Sequence, residues 1–190
     1  MTTELQGLLE RLVRLLDAAN IPFMIAGSFA SSAHGLPRTT QDLDIVVDPP
    51  STQALDALVR SMTSDLYYVD ADAARDAMRV RSMFNVIDHA SGWKIDFIVR
   101  KNRAFSRGEF GRRMRLALLD VPVYVASPED TIVAKLEWSK QSGGSERQRR
   151  DIAGIVATLG KQLDRAYVER WVCDLDLADE WVAAQNAPQH

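Results

Sequence analysis

The stretch that decides the fold is Phe23-Met24-Ile25-Ala26-Gly27-Ser28, a spacer of thirteen residues (29 through 41), then Asp42-Leu43-Asp44-Ile45-Val46-Val47. Phe23 to Ala26 is a short apolar run that breaks at Gly27-Ser28, the pattern of a buried strand entering a tight corner. A glycine there lets backbone N–H groups approach an anion closely, and a helix starting at the corner adds the positive end of its dipole. Such corners also use glycine for steric reasons alone. In the second run, side chains two apart on a strand share a face, so Asp42 and Asp44 stand together while Leu43 and Ile45 face a core. Paired carboxylates repel, and aspartate is disfavoured in strands. A divalent cation removes that conflict, because magnesium takes hard carboxylate oxygens, usually one or two, plus phosphate oxygens of a substrate. The plain alternative is a strand that starts late, with Asp42 in a loop and Asp44 solvated at an edge.

A third acid interrupts an otherwise apolar strand at Trp93-Lys94-Ile95-Asp96-Phe97-Ile98-Val99. A buried, unpaired carboxylate costs several kcal/mol, so Asp96 needs a partner. One candidate is an ion pair with a basic side chain, Lys94 being near in sequence. The other is a place beside Asp42 and Asp44, if this strand adjoins Leu43 to Val47. An Asp96 that points away from the other two acids, or an ion pair filling the place, would count against a catalytic role.

The rest of the chain is placed around these runs. Leu5, Leu8, Leu9, Leu12, Leu16 and Ala19 predict an amphipathic helix stopped near Asn20 and Pro22. A short helix is expected from Phe29 to His34, and another from the cap at Ser51 or Thr52 to about Met62. A weak strand around Leu66 to Val69 and a helix to about Arg79 follow. Ser82 to Asp88 and Trp93 to Val99 flank His89-Ala90-Ser91-Gly92 as a hairpin, and Met114 to Leu118 pairs with Val121 to Val125 across Leu119-Asp120. Ser127-Pro128-Glu129-Asp130 is a helix start, with further helices over Arg147 to Thr158, Asp164 to Cys173 and Leu177 to Ala184. The expectation is an α+β fold: a mixed β-sheet with flanking helices in 1–126 and a helical C-terminal part in 127–190.

Across 190 residues, 46% hydrophobic and 26% charged content excludes a disordered or fibrous chain. The single cysteine, Cys173, is expected in a small core position, and a lone cysteine favours a reducing, cytoplasmic setting. No apolar run nears the ~18 residues of a membrane span. The four tryptophans are expected in the core or at an interface. Net charge of −3 argues against a general nucleic-acid coat. Yet Arg100 to Arg115 holds seven basic residues against Glu109, which suits either a solvated surface or a polyanion.

Ile25-Ala26-Gly27-Ser28 followed by Asp42-Leu43-Asp44-Ile45 resembles the signature of the nucleotidyltransferase superfamily related to DNA polymerase beta. The run from Gly27 to Asp44 is similar to the minimal, AbiEii/MenT-type branch, which includes toxins of toxin–antitoxin systems. A weaker resemblance continues through Asp130 to Leu136 and Arg149 to Ile152, pointing to Lys135 and Asp151. Many AbiEii-like toxins carry two glycines where this chain has Gly27-Ser28. The resemblance implies a nucleotidyltransferase fold and transfer of a nucleoside monophosphate from an NTP to a hydroxyl, with pyrophosphate leaving. Asp42, Asp44 and Asp96 would be catalytic acids holding two magnesium ions, manganese being the other candidate. Asp96 would draw the proton from the hydroxyl. Gly27, Ser28, Arg38, Lys135 and Asp151 would bind the nucleotide, ATP among the candidates, and Lys135 would also be catalytic. The acceptor would be an RNA or tRNA 3′ end, or a protein, with a cognate antitoxin as partner. An aminoglycoside-type small-molecule acceptor and a catalytically silent binding domain are the alternatives.

Overall fold

The computed structural model describes residues 2–187 of the chain. Helix α1 (Thr2–Ala18) forms where the leucine repeat predicts it: Leu8, Leu9, Leu12 and Leu16 are fully buried and Leu5 nearly so. Each such side chain contributes about 1.5–3 kcal/mol over leaving it exposed. The helix ends as Asn20 turns into the left-handed region at φ 52°, and the Ile21 N–H reaches back to the Leu16 carbonyl at 2.9 Å.

Strands β1 (Phe23–Ile25), β2 (Asp42–Val47), β3 (Tyr67–Val69), β4 (Met83–Asp88), β5 (Lys94–Val99), β6 (Met114–Leu118) and β7 (Val121–Val125) make one mixed sheet in the order β3-β4-β5-β2-β1-β7-β6. β1 runs antiparallel to β2 and parallel to β7, and β2 runs parallel to β5. The two hairpins expected from sequence form, β4 with β5 and β6 with β7. In the first, Asp88 closes the turn by accepting from the Ser91 N–H and hydroxyl at 3.0 and 2.5 Å. In the second, Leu119 and Asp120 both have positive φ, 48° and 64°, the handedness that a two-residue hairpin needs to match strand twist.

The chain divides into two compact units. The first, through Ile25 and again over Thr40–Val125, holds the sheet with α1, α3 (Thr52–Ser61), α4 (Ala71–Val80) and α5 (Ala104–Gly111). Its core gathers Phe97, Phe105, Met24, Ile25, Leu43, Ile45, Leu55 and Leu58, with Phe84 stacked on Phe97 at 5.2 Å. Helix α5 has no counterpart in the sequence reading. Its buried stripe is Phe105, Ser106, Glu109 and Phe110, set among arginines and glycines that mask the period.

The second unit comprises Ala26–Thr39 and the chain from Ala126 onward. It packs α2 (Gly27–His34), α6 (Pro128–Gln141), α7 (Glu146–Leu159), α8 (Arg165–Asp174) and α9 (Ala178–Gln185). Helix α6 opens as the Ser-Pro-Glu-Asp run dictates: Ser127 accepts from the Asp130 N–H at 3.2 Å, and Pro128 occupies the first turn. Asp130, completely buried, accepts hydroxyls from Ser127 at 2.5 Å and Tyr167 at 2.6 Å. Gly35 sits where α2 meets α7, and a Cβ there would stand 2.8 Å from the Ile155 nitrogen. Cys173 is exposed rather than in the core, because α8 turns Val168 and Val172 inward and leaves it on the outer face. Trp181 is buried, but Trp138 is 54% exposed, on the outer side of α6. Among the described residues no helix is long and apolar enough to cross a membrane.

Candidate active site

Three rows of side chains share one face of β2, β5 and β4 in the first unit. Parallel pairing sets Asp44 opposite Asp96 and Asp42 opposite Lys94. Antiparallel pairing adds Asn85 opposite Asp96 and Ile87 opposite Lys94. The third row is Val46, Ile98 and Met83. Leu43, Ile45, Ile95 and Phe97 point to the opposite face and are buried, so the core fixes which way the acids project. Asp42 and Asp44 are half-buried, and Asp96 is buried at 7% exposure. The strand therefore starts at Asp42, not after it, and Asp96 joins the other two acids on one face.

The ion pair weighed as the alternative is present as well. The Lys94 ammonium lies 2.9 Å from the Asp96 carboxylate, and the Asn85 amide donates to the same group. The hydrogen bond to Asp96 pushes the Lys94 ammonium above its ordinary pKa, against partial desolvation, and the charges of Asp96, Asp42 and Asp44 add to the rise. Among the described residues no three acidic, histidine or cysteine side chains converge closely enough to hold a metal alone. The three acids expected to hold two magnesium ions thus do not make a complete metal site by themselves; one or two of the carboxylates would hold magnesium only with further oxygens from phosphates and water. That the face suits a cation is visible in the ammonium it already draws in.

In the second unit, the Gly27-Ser28 corner opens α2. Gly27 adopts φ 56°, which costs a glycine little, and Ala26 gives α2 no side-chain cap. The first turn of a helix is where backbone N–H groups and the positive end of the dipole favour an anion. Arg38, Lys135 and Asp151 all belong to a network at this corner. Arg38 donates to the Ser28 hydroxyl and, through Nε, to Asp151 at 3.0 Å. The Lys135 ammonium, nearly fully buried, bonds Asp151 at 2.7 Å and the Gln148 carbonyl oxygen at 2.8 Å. Ser31 donates to the Ser28 carbonyl at 3.0 Å and approaches Asp151 at 3.4 Å. Burial pushes the Asp151 carboxyl up, but Lys135 and Arg38 outweigh it and hold it below the usual carboxylate value. Asp151 thus pairs with both cations. Asn85, Ser31 and Gln148 were not read as site residues; only the strand register and the helix packing bring them in.

Several residues of the basic segment between Arg100 and Arg115 are used within the first unit. Arg100 pairs with Asp48 at 2.9 Å, and Arg103 bonds Ser106 at 3.0 Å. Arg113 lies over the Phe110 and Tyr124 rings at 4.4 and 4.8 Å.

No family model and no curated protein matches the sequence. Solved structures do match. The antibiotic-resistance factor ANT(2'')-Ia superposes with TM-score 0.62 at 15% identity, covering 97% of each chain. The fold is that of the nucleotidyltransferases. An antigenic nucleotidyltransferase-like protein from Paracoccidioides brasiliensis matches with TM-score 0.55 at 16% identity, over 97% of this chain and 93% of the other. The lincosamide antibiotic adenylyltransferase LnuA matches with TM-score 0.52 at 11% identity, over 77% of this chain and 93% of its own. At such identities the nucleotidyltransferase fold is shared, while substrate and branch are not thereby assigned.

Proposed function

We propose that the protein is a magnesium-dependent nucleotidyltransferase that moves a nucleoside monophosphate from an NTP to a hydroxyl. The observation that carries this reading is the register that sets Asp44 opposite Asp96, with Asp42 on the same face. Phosphoryl transfer asks little covalent work of a protein beyond positioning reactants and neutralising charge. Magnesium, when bound, supplies charge neutralisation at the phosphates. Asp42 and Asp44 hold it, and Asp96 completes the acidic set and takes the proton of the attacking hydroxyl. Ser28 and the backbone of Gly27 bind phosphate, with Arg38 and Lys135 offsetting charge and Asp151 orienting both cations. The hydroxyl oxygen bonds to the α-phosphorus, the bond to the bridging oxygen breaks, and pyrophosphate departs.

For the acceptor, an RNA or tRNA 3′ end or a protein hydroxyl follows from the AbiEii/MenT-type resemblance, with a cognate antitoxin as the partner. A small hydroxylated molecule is the second reading. Three of the segment's seven basic residues, Arg100, Arg103 and Arg113, are engaged in internal contacts, while Lys101, Arg107, Arg112 and Arg115 are exposed. The structural neighbours favour the second reading, ANT(2'')-Ia having been solved with adenylyl-2''-tobramycin and LnuA with lincomycin.

The test is incubation with each α-labelled NTP and magnesium, against total tRNA, a cell-protein extract and a panel of aminoglycosides and lincosamides. Label is expected on one acceptor class, and Asp44→Asn is expected to lower transfer by about 10²–10³-fold, the scale of losing one preorganised electrostatic group. Transfer by Asp44→Asn at the wild-type rate would overturn the assignment of the acids. Label on tRNA alone selects the first acceptor reading, and label on an antibiotic alone selects the second.

A further inference from the structure

Within the second unit, the corner that opens α2 holds a hydroxyl whose hydrogen-bonding direction is set by its neighbours. Ser28 is only 7% exposed, and its hydroxyl oxygen accepts from the Arg38 guanidinium. A guanidinium carries donors and no acceptor, so Ser28 cannot return its own proton to that partner. Further bonds hold the guanidinium in place. Its Nε meets both oxygens of Asp151, at 3.0 and 3.2 Å, and its Nη1 meets the Thr39 carbonyl at 3.2 Å. Asp151 is no outlet for the Ser28 proton, because it already receives Arg38, Lys135 at 2.7 Å and Ser31 at 3.4 Å. Among the described residues no oxygen accepts from the Ser28 hydroxyl. A buried hydroxyl that accepts without donating leaves one bond unmade, which is costly unless a partner arrives.

We infer that Arg38 is a positioning residue: by occupying the acceptor side of the Ser28 hydroxyl, it reserves the O–H as a donor for a phosphate oxygen. This rests on the reading of the Gly27-Ser28 corner as a phosphate site. The ligand chemistry follows from the direction of the bonds. Whatever takes the Ser28 proton must be an acceptor, and an ionised phosphate oxygen accepts with no proton to return. A bond to such a charged oxygen is roughly twice as strong as one to a neutral group, so the corner favours the anion over a neutral hydroxyl. Arg38 therefore serves the phosphate through Ser28, beyond the charge it brings. The planar fork of the guanidinium suits this task, since one group bonds Asp151 and Ser28 together in a fixed geometry. Lys135 supports the arrangement from behind by holding Asp151, and Gln148 does so by accepting from Lys135.

The experiment is a pair of double-mutant cycles on the full chain, with inorganic tripolyphosphate in magnesium-free buffer as the probe and calorimetry as the readout. Ser28→Ala is expected to weaken binding about 10–100-fold when Arg38 is present, the worth of a hydrogen bond to a charged group. In an Arg38→Gln background the same change is expected to cost less than about twofold, because the amide oxygen can take the Ser28 proton. In an Arg38→Lys background, where an ammonium again donates without accepting, most of the Ser28 contribution is expected to return. Comparing Ser28→Ala within each background cancels the charge that Arg38 itself contributes to holding an anion. Circular dichroism confirms that each variant is folded. A Ser28→Ala cost that is the same in Arg38→Gln and Arg38→Lys, whether kept or lost, overturns the positioning role and leaves the phosphate site standing. No weakening by Ser28→Ala in any background, or no binding by the wild-type chain, overturns the phosphate reading and this inference with it.

Discussion

Replacing Asp151 by asparagine tests the charge network at the Gly27-Ser28 corner without touching the sheet. Lys135 and Asp151 are both almost wholly buried, with side-chain exposures of 5% and 6%, and meet at 2.7 Å. Arg38, the second cation on Asp151, is 24% exposed and can turn to solvent when the carboxylate is lost. Lys135 has no such escape, and Gln148 offers it a neutral carbonyl oxygen in place of a charge. Breaking a buried pair by removing one partner costs about 3–5 kcal/mol, mostly through the stranded charge. For a chain of this size each kcal/mol moves Tm by roughly 2–4 °C, so the expected loss is about 6–20 °C. Urea denaturation and thermal circular dichroism of Asp151→Asn measure it. Because the folded Asp151 carboxyl lies below its ordinary value, its contribution is complete above the unfolded pKa, about 4, and fades as pH falls through the lower folded value. The gap between wild type and variant should thus be constant from pH 5 to 8, on the order of the figure above, and close only in acid below about pH 4. Pairing Lys135→Met with Asp151→Leu should restore most of the stability, since apolar isosteres often replace buried ion pairs at little cost. A variant within about 1 kcal/mol of wild type at neutral pH would refute the argument, showing that water or rearrangement already satisfies Lys135.

Gly35→Ala should destabilise by about 1–3 kcal/mol, because the new Cβ would meet α7 backbone atoms at 2.8–3.1 Å and backbone cannot yield as a side chain does; an unchanged urea midpoint would contradict the close approach. Leu119→Asn should stabilise by about 0.5–1 kcal/mol, because Leu119 holds φ 48° in a two-residue hairpin that favours asparagine; a lower Tm would show that the leucine side chain packs to more effect than its backbone strain costs.

The parts of the fold legible in the sequence are those where one physical signal acts alone. The α1 leucine repeat, the Ser127-Pro128 helix start and the Leu119-Asp120 turn each rest on local pattern, and each is found in place. Asp42 and Asp44 were placed on one face by strand period, and Asp96 joined them because β5 does lie beside β2. Helix α5 escaped because Arg107, Gly108 and Gly111 obscure Phe105 and Phe110, the pair that buries it. Asn85 could be found only once the hairpin register was known, since nothing in Phe84-Asn85-Val86 marks it as facing Asp96. Ser31 reaches Asp151 across 120 residues and Gln148 accepts from Lys135 across 13, and only packing reveals which of the chain's many serines and glutamines does so.

The Lys94–Asp96 pair is the arrangement that counts against a catalytic Asp96, and it is what a purely structural account of Asp96 requires. The two accounts separate at Asp44. A cross-strand or same-strand ion pair that steadies β5 needs one acid, and Lys94 already provides its counter-charge. Under that account a second carboxylate directly opposite Asp96, and a third two residues before it, would be pure cost, because like charges facing across a ladder destabilise and aspartate is poorly suited to strands. Surface position does not relieve it: Asp42 and Asp44 are half-buried, and Asp96 is buried. On the proposed reading, three carboxylates gathered on one face of the sheet are the arrangement that a divalent ion carried on a triphosphate would use.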